Sequence, residues 1–130
     1  MPLDVHVVTP EREIWSGQAA MVIARGVEGE VGILPQHAPL LIRLAVGRLR
    51  IRIDGTEEAA VVDGGFLHVT TTEGVTRVDV LASSAEMAGQ IDIRAAERRV
   101  QELQGELGRR DDAGLRAELA KVMARVELAR

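Results

Sequence analysis

Three histidines, His6, His37 and His68, are the only imidazoles in the 130-residue chain, and no two stand at a metal-ligand spacing. His6 and His68 fall in stretches patterned as strands, where an imidazole on a sheet surface is the ordinary reading and catalysis needs a polar constellation around it. Ser16, Ser83 and Ser84 occur in no G-x-S-x-G context, so a nucleophile elbow is absent. Gly26-Val27-Glu28-Gly29 and Gly29-Glu30-Val31-Gly32 are rich in glycine, but no Lys-Ser/Thr follows, and a Walker-type phosphate loop needs both. The chain has no cysteine, which rules out disulfides, thiol catalysis and Cys-ligated metals. Carboxylates are plentiful, and in such number they mostly make a solvated surface. No constellation reads as an enzyme's.

One stretch has a more particular character. Gly32-Ile33-Leu34-Pro35-Gln36-His37-Ala38-Pro39-Leu40-Leu41 sets two prolines and a histidine between apolar pairs. Pro35 and Pro39 cannot donate to a sheet ladder and stiffen the chain around them. Gln36 and His37 are thereby expected at the tip of a rigid loop. That loop is either a plain connection between strands or a presented contact surface.

The elements that position these residues fall into two grammars. Residues 1–85 carry Val, Ile and Thr in short runs separated by Gly, Asp or Pro, which is strand language. Arg48 to Ile53 alternates strictly, with Leu49, Ile51 and Ile53 on one face and three arginines on the other. Asp54-Gly55 then predicts a two-residue type I′ hairpin. Gly64-Gly65 predicts a bend or bulge before Phe66-Leu67-His68-Val69, and Glu73-Gly74 predicts a turn into Val75 to Leu81. Several short strands with regular turns predict a sandwich or barrel. With only Trp15 and Phe66 as aromatics, its core must be aliphatic.

Residues 86–130 hold 18 of the 36 charged side chains, nine of each sign. Ala96, Val100, Leu103 and Leu107 make one helical stripe; Leu115, Leu119, Val122 and Val126 make a second. Asp92 and Asp111-Asp112 are candidate N-caps and Gly108 a candidate stop, with Glu106–Arg110 a supporting i, i+4 pair. The expectation is an α+β protein: an all-β sandwich followed by an antiparallel two-helix hairpin over about 92–107 and 113–128. Such a hairpin needs tertiary burial to persist. Ser83-x-x-Glu86 fits a capping box, so a short helical turn is expected between the parts, broken by Gly89, with 82–90 as the hinge.

A net charge of −4 argues against nucleic acid as partner. No apolar run approaches the length of a bilayer span, and the helical stripes lack aromatic anchors, so direct membrane insertion is not expected. Met-Pro-Leu-Asp-Val at the start does not read as a signal peptide, leaving a cytosolic location as the default.

The 32–41 stretch resembles the G-I-L-P-x-H-A-P-L-L signature of the epsilon subunits of bacterial-type F-type ATP synthases. Val8-Thr9-Pro10-Glu11-Arg12, Glu28-Gly29-Glu30-Val31 and Gly64-Gly65-Phe66-Leu67-His68-Val69 match that family in order. Val80-Leu81-Ala82, Ala85-Glu86 and Ile91-Asp92 resemble its junction into the C-terminal helices. The resemblance implies a two-sheet sandwich with a helical hairpin, agreeing with the reading of the residues themselves. It also implies a non-catalytic rotor part at the cytoplasmic face of the membrane, coupling proton- or sodium-driven rotation to ATP synthesis.

By carry-over, the β-domain would meet the gamma subunit and the polar loops of the c-ring, with Glu30, Leu34, Pro35, Gln36 and His37 as contact residues. The hairpin would extend along gamma towards the alpha and beta subunits and inhibit ATP hydrolysis. Some members bind ATP on the folded hairpin through a motif reading I/L-D-x-x-R-A. Here Ile91-Asp92-Ile93-Arg94-Ala95-Ala96 shifts the arginine by one residue, about 100° around a helix. Glu86, Asp92, Arg94, Arg98, Arg99 and Arg125 are the remnant of that site. No cofactor is expected, and ATP is expected to bind weakly or not at all. The alternative reading is a stand-alone adaptor module of an unrelated assembly.

Overall fold

The computed structural model describes residues 2–130. Eight strands come first: β1 (Leu3–Val8), β2 (Glu13–Ala19), β3 (Met21–Gly26), β4 (Gly29–Ile33), β5 (Leu40–Arg43), β6 (Gly47–Ile53), β7 (Thr56–Thr72) and β8 (Val75–Met87). A single 3-10 turn over Ala88–Gln90 leads to α1 (Ile93–Arg109) and α2 (Ala113–Ala129). No helix interrupts the β part and no strand the helical part, as the change of period predicts.

Two long strands hold the sandwich together. β7 pairs with β5 through its second half (Arg43↔Phe66) and with β6 through its first (Gly47↔Val62), in one unbroken register. β8 follows β7 along its whole length, from Thr72↔Val75 to Ala60↔Met87. Beyond this shared spine, β1 joins β8 in parallel and β2 joins β1, while β3 joins β6 and β4 joins β3. The first sheet is therefore β5-β7-β8-β1-β2, and the second β4-β3-β6-β7-β8.

The spine changes sheets at Gly64-Gly65, a bend with no register shift rather than a bulge. Both glycines have positive φ, 73° and 102°. A Cβ on Gly65 would overlap the Leu81 carbonyl oxygen and stand 2.7 Å from the Ala82 Cα. Only glycine fits there.

Strand alternation sends Leu3, Val5 and Val7, Leu67 and Val69, and Val78 and Val80 inward from the first sheet, against Val22, Ile33, Leu49 and Ile51 of the second. The core is aliphatic as expected, and burying each such side chain contributes about 1.5–3 kcal/mol before entropy is counted. Arg50 and Arg52 lie outside and share Glu57, at 2.8 and 3.6 Å. The Arg50 hydrogen bond holds the Glu57 carboxyl below its usual range.

Several local expectations are corrected. The 54–55 turn is not type I′: Gly55 has φ 75° but Asp54 is not left-handed, the φ pattern of a type II turn. The doubly left-handed turn is Glu73-Gly74, with φ 52° and 80°. Ser83–Glu86 forms no helical turn, because Ser84 pairs with Asp63 and Glu86 with Val61, and the β-ladder already takes the backbone groups a cap would serve. β8 thus runs past residue 85 to Met87, and Gly89 sits inside the following 3-10 turn. Gly108 does not stop α1, which continues to Arg109 with Arg110 as its C-cap; Glu106 receives the Arg110 backbone N–H instead of forming an ion pair with its side chain.

The helical caps and seam match the expectation. Asp92 Oδ1 accepts from Ala95 N at 3.0 Å, and Asp112 Oδ1 accepts from Gly114 N and Leu115 N. Ala96, Leu103, Leu115 and Val126 are buried, with Val100, Leu107, Leu119 and Val122 half-buried beside them. Arg99 joins Glu118 at 2.7 Å and Arg130 joins Glu97 at 2.6 Å between the helices. The Glu118 and Glu102 hydrogen bonds raise the Arg99 guanidinium further above its ordinary value.

Candidate docking surfaces and the hairpin interface

The loop after β4 is rigid because it is tied to the β7–β8 turn. Gln36 is held in the left-handed region at φ 72°. Its N–H donates to Thr76 Oγ1 at 2.9 Å, and its side-chain amide donates to the Gly74 carbonyl at 3.2 Å. Thr76, itself buried, also meets Thr71 Oγ1 at 3.3 Å, so its hydroxyl is satisfied. The His37 N–H donates to the Leu34 carbonyl at 3.1 Å, and its Nδ1 lies 2.7 Å from the Ala38 carbonyl. Leu34 is left 54% exposed, with Pro35 and His37 half-buried and Gln36 exposed. Glu30 is exposed at the other end of β4, opposite Arg25. About 13 Å of strand separates it from Leu34. Glu30 instead lines a cleft of about 520 Å³ with Val27, Leu41 and Arg43, where the β3–β4 turn approaches β5.

A further surface was not singled out in the sequence. On the outer face of the first sheet, Phe66, Leu81 and Val8 stand in one register row across β7, β8 and β1, with Leu41 diagonal to Phe66. Leu41 is 65% exposed, Leu81 51% and Phe66 45%. The next row is polar: His68, Asp79 and His6, with Arg77 doubly hydrogen-bonded to Asp79 and His6 3.1 Å from Asp4. An apolar stripe with a charged rim is the composition of a protein contact. The apolar run Val80-Leu81-Ala82 conceals it, because alternation turns only Leu81 outward.

Of the six residues of the nucleotide-site remnant, two meet directly and two more are engaged elsewhere. Glu86 and Arg125 engage each other through two hydrogen bonds, 3.0 and 2.8 Å. Asp92 is spent on the α1 cap and Arg99 on Glu118 and Glu102. Arg94 and Arg98 are exposed on α1. The hairpin meets the sandwich through α2, which lies against β6, β7 and the 3-10 turn. Among the described residues no group of three His, Asp or Glu side chains is arranged to hold a metal ion, and no helix is long and apolar enough to cross a membrane.

Residues 2–88 match the family described as ATP synthase, Delta/Epsilon chain, beta-sandwich domain. The ATP synthase epsilon chain of Thermobifida fusca is 43% identical over 98% of this chain and 92% of its own length. This chain belongs to the ATP synthase epsilon family. The family's Frankia casuarinae epsilon chain is 48% identical over 88 residues, 67% of this chain but 99% of that one. That relative is therefore about as long as the sandwich alone. A chain in the Euglena gracilis mitochondrial ATP synthase, solved with OSCP, F1 and c-ring, shares the fold with a TM-score of 0.76 at 23% identity, over 97% of this chain and 78% of that one.

Proposed function

We propose that this epsilon-family chain is a non-catalytic central-stalk subunit at the cytoplasmic face of the membrane, coupling ion-driven rotation to ATP synthesis. The observation that carries the reading is the near full-length match to an epsilon chain, joined to a fold with outward-facing docking surfaces. The exposed apolar patch of Phe66 and Leu81, with Leu41 diagonal to Phe66, suits the gamma subunit, since exposed aliphatic and aromatic groups gain most by burial. Leu34, Pro35, Gln36 and His37, with Glu30 further along β4, suit the polar loops of a c-ring. The hairpin, released from the sandwich, would reach the alpha and beta subunits and restrain ATP hydrolysis.

Co-purification tests the assignment: the tagged chain should bring down gamma, alpha and beta subunits, and its failure to do so in an intact membrane extract refutes it. Reversing charge at Glu30 together with His37→Asp should weaken assembly on the c-ring while leaving the free chain folded, because Glu30 is exposed and His37 lies at a loop tip outside the aliphatic core. Normal pumping by that variant in membrane vesicles would refute the loop's role. Truncation after Ala88 should keep the sandwich folded and raise ATP hydrolysis by the assembled enzyme. Calorimetric titration of the free chain with ATP should give no saturable binding at micromolar ligand, since Arg125 already holds Glu86 and Ala95 occupies the arginine position.

A further inference from the structure

The contact between hairpin and sandwich carries a cluster of charged contacts. On the outer face of the second sheet, Val61, Asp63, Ser84 and Glu86 stand together with Val46 at the spine's bend. α2 lays Lys121, Val122 and Arg125 over them, leaving a cleft of about 200 Å³ unfilled. Val61 is buried and Val122 half-buried there, while Val46 stays 41% exposed, so the apolar part of the contact is small and incomplete. The charged part is complete. Arg125 grips both Glu86 oxygens, and Lys121 lies 3.5 Å from Asp63 one helical turn away. Arg48, on β6, donates to the carbonyls of Leu128 and Arg130 at 2.8 and 3.0 Å. Those carbonyls lack partners within the helix and carry the negative end of its dipole, so a guanidinium is well placed there.

We infer that Arg125–Glu86, Lys121–Asp63 and the Arg48 clamp on the end of α2 form an electrostatic latch that docks the hairpin without a nucleotide and yields to salt. All the side chains are partly open to solvent, so mobile ions screen them. The latch goes beyond the proposed inhibitory role and does not depend on it, because it concerns the free chain.

The chain's lack of cysteine allows a pair of dyes on Ser16→Cys and Gln104→Cys, both exposed and away from the latch, to report docking by energy transfer in the full-length protein. Raising NaCl to about 1 M, where the Debye length falls to about 3 Å, should lower the transfer while far-UV circular dichroism stays constant. Glu86→Gln should release the hairpin at low salt, shifting the docked-to-free ratio roughly tenfold, the equivalent of about 1.4 kcal/mol. The swap of Glu86→Arg with Arg125→Glu should restore docking at low salt. Transfer unchanged by salt, Glu86→Gln docking like the parent, or a swap no better than the single variant would each overturn the latch. Low transfer at low salt that rises only when millimolar Mg-ATP is added would overturn its independence of nucleotide.

Discussion

The bend of the spine and the helical hairpin are held by opposite means. At Gly65 the backbones of β7 and β8 pass one another with no room for a Cβ, and the sandwich core beside them is wholly buried. In the hairpin, Gly105 and Gly108 face open space, four residues supply the buried seam, and two surface ion pairs plus a helix-end clamp do the docking. The first is determined by shape, which tolerates no substitution. The second is determined by charge and a narrow stripe, which conditions can loosen. The Frankia relative of sandwich length fits the same division.

The largest expected effect is at the bend. Gly65→Ala forces a left-handed Cβ into the Leu81 carbonyl, and the chain should lose about 3 kcal/mol or more, enough to show as a collapse of the urea midpoint. A midpoint within error of the parent would mean that the spine can shift and that shape does not govern it. Next, Leu103→Ala removes a fully buried seam residue and should cost the hairpin about 2–4 kcal/mol. Helical signal at 222 nm should then fall well before the sandwich unfolds; a single shared transition would show the two regions to be one cooperative unit.

Smaller effects sharpen the contrast. Gly105→Ala, on an exposed face of α1, should stabilise the helices by about 1 kcal/mol, read as a higher hairpin melting temperature. Glu73→Asn should add about 0.5 kcal/mol to the sandwich midpoint, because asparagine tolerates the left-handed backbone better than glutamate does. No gain there would indicate that Glu73 is compensated by a contact of its own.

Much of this was legible from residue order. The alternation of Arg48 to Ile53, the stripe from Ala96 to Leu107 and the caps at Asp92 and Asp112 are local signals, and each acts within a few residues of itself. The signature at 32–41 placed a rigid loop. What its rigidity rests on, Gln36 bonded to Thr76 and Gly74, joins residues some forty positions apart and leaves no local trace. The Ser83–Glu86 capping box failed for the same reason: β7 offered those residues a ladder, and sheet pairing satisfies more backbone groups than one cap.

The sequence by itself determined the two-part plan, the aliphatic core and the family, since period, composition and short motifs are properties of neighbours along the chain. Only the tertiary structure decided that Glu30 stands a strand's length from Leu34, that Phe66 and Leu81 share an exposed row, and that Arg125 is already taken by Glu86. Those facts depend on strand register and on which helix face meets which sheet. Register is set by the summed burial of the whole sandwich and not by any one segment.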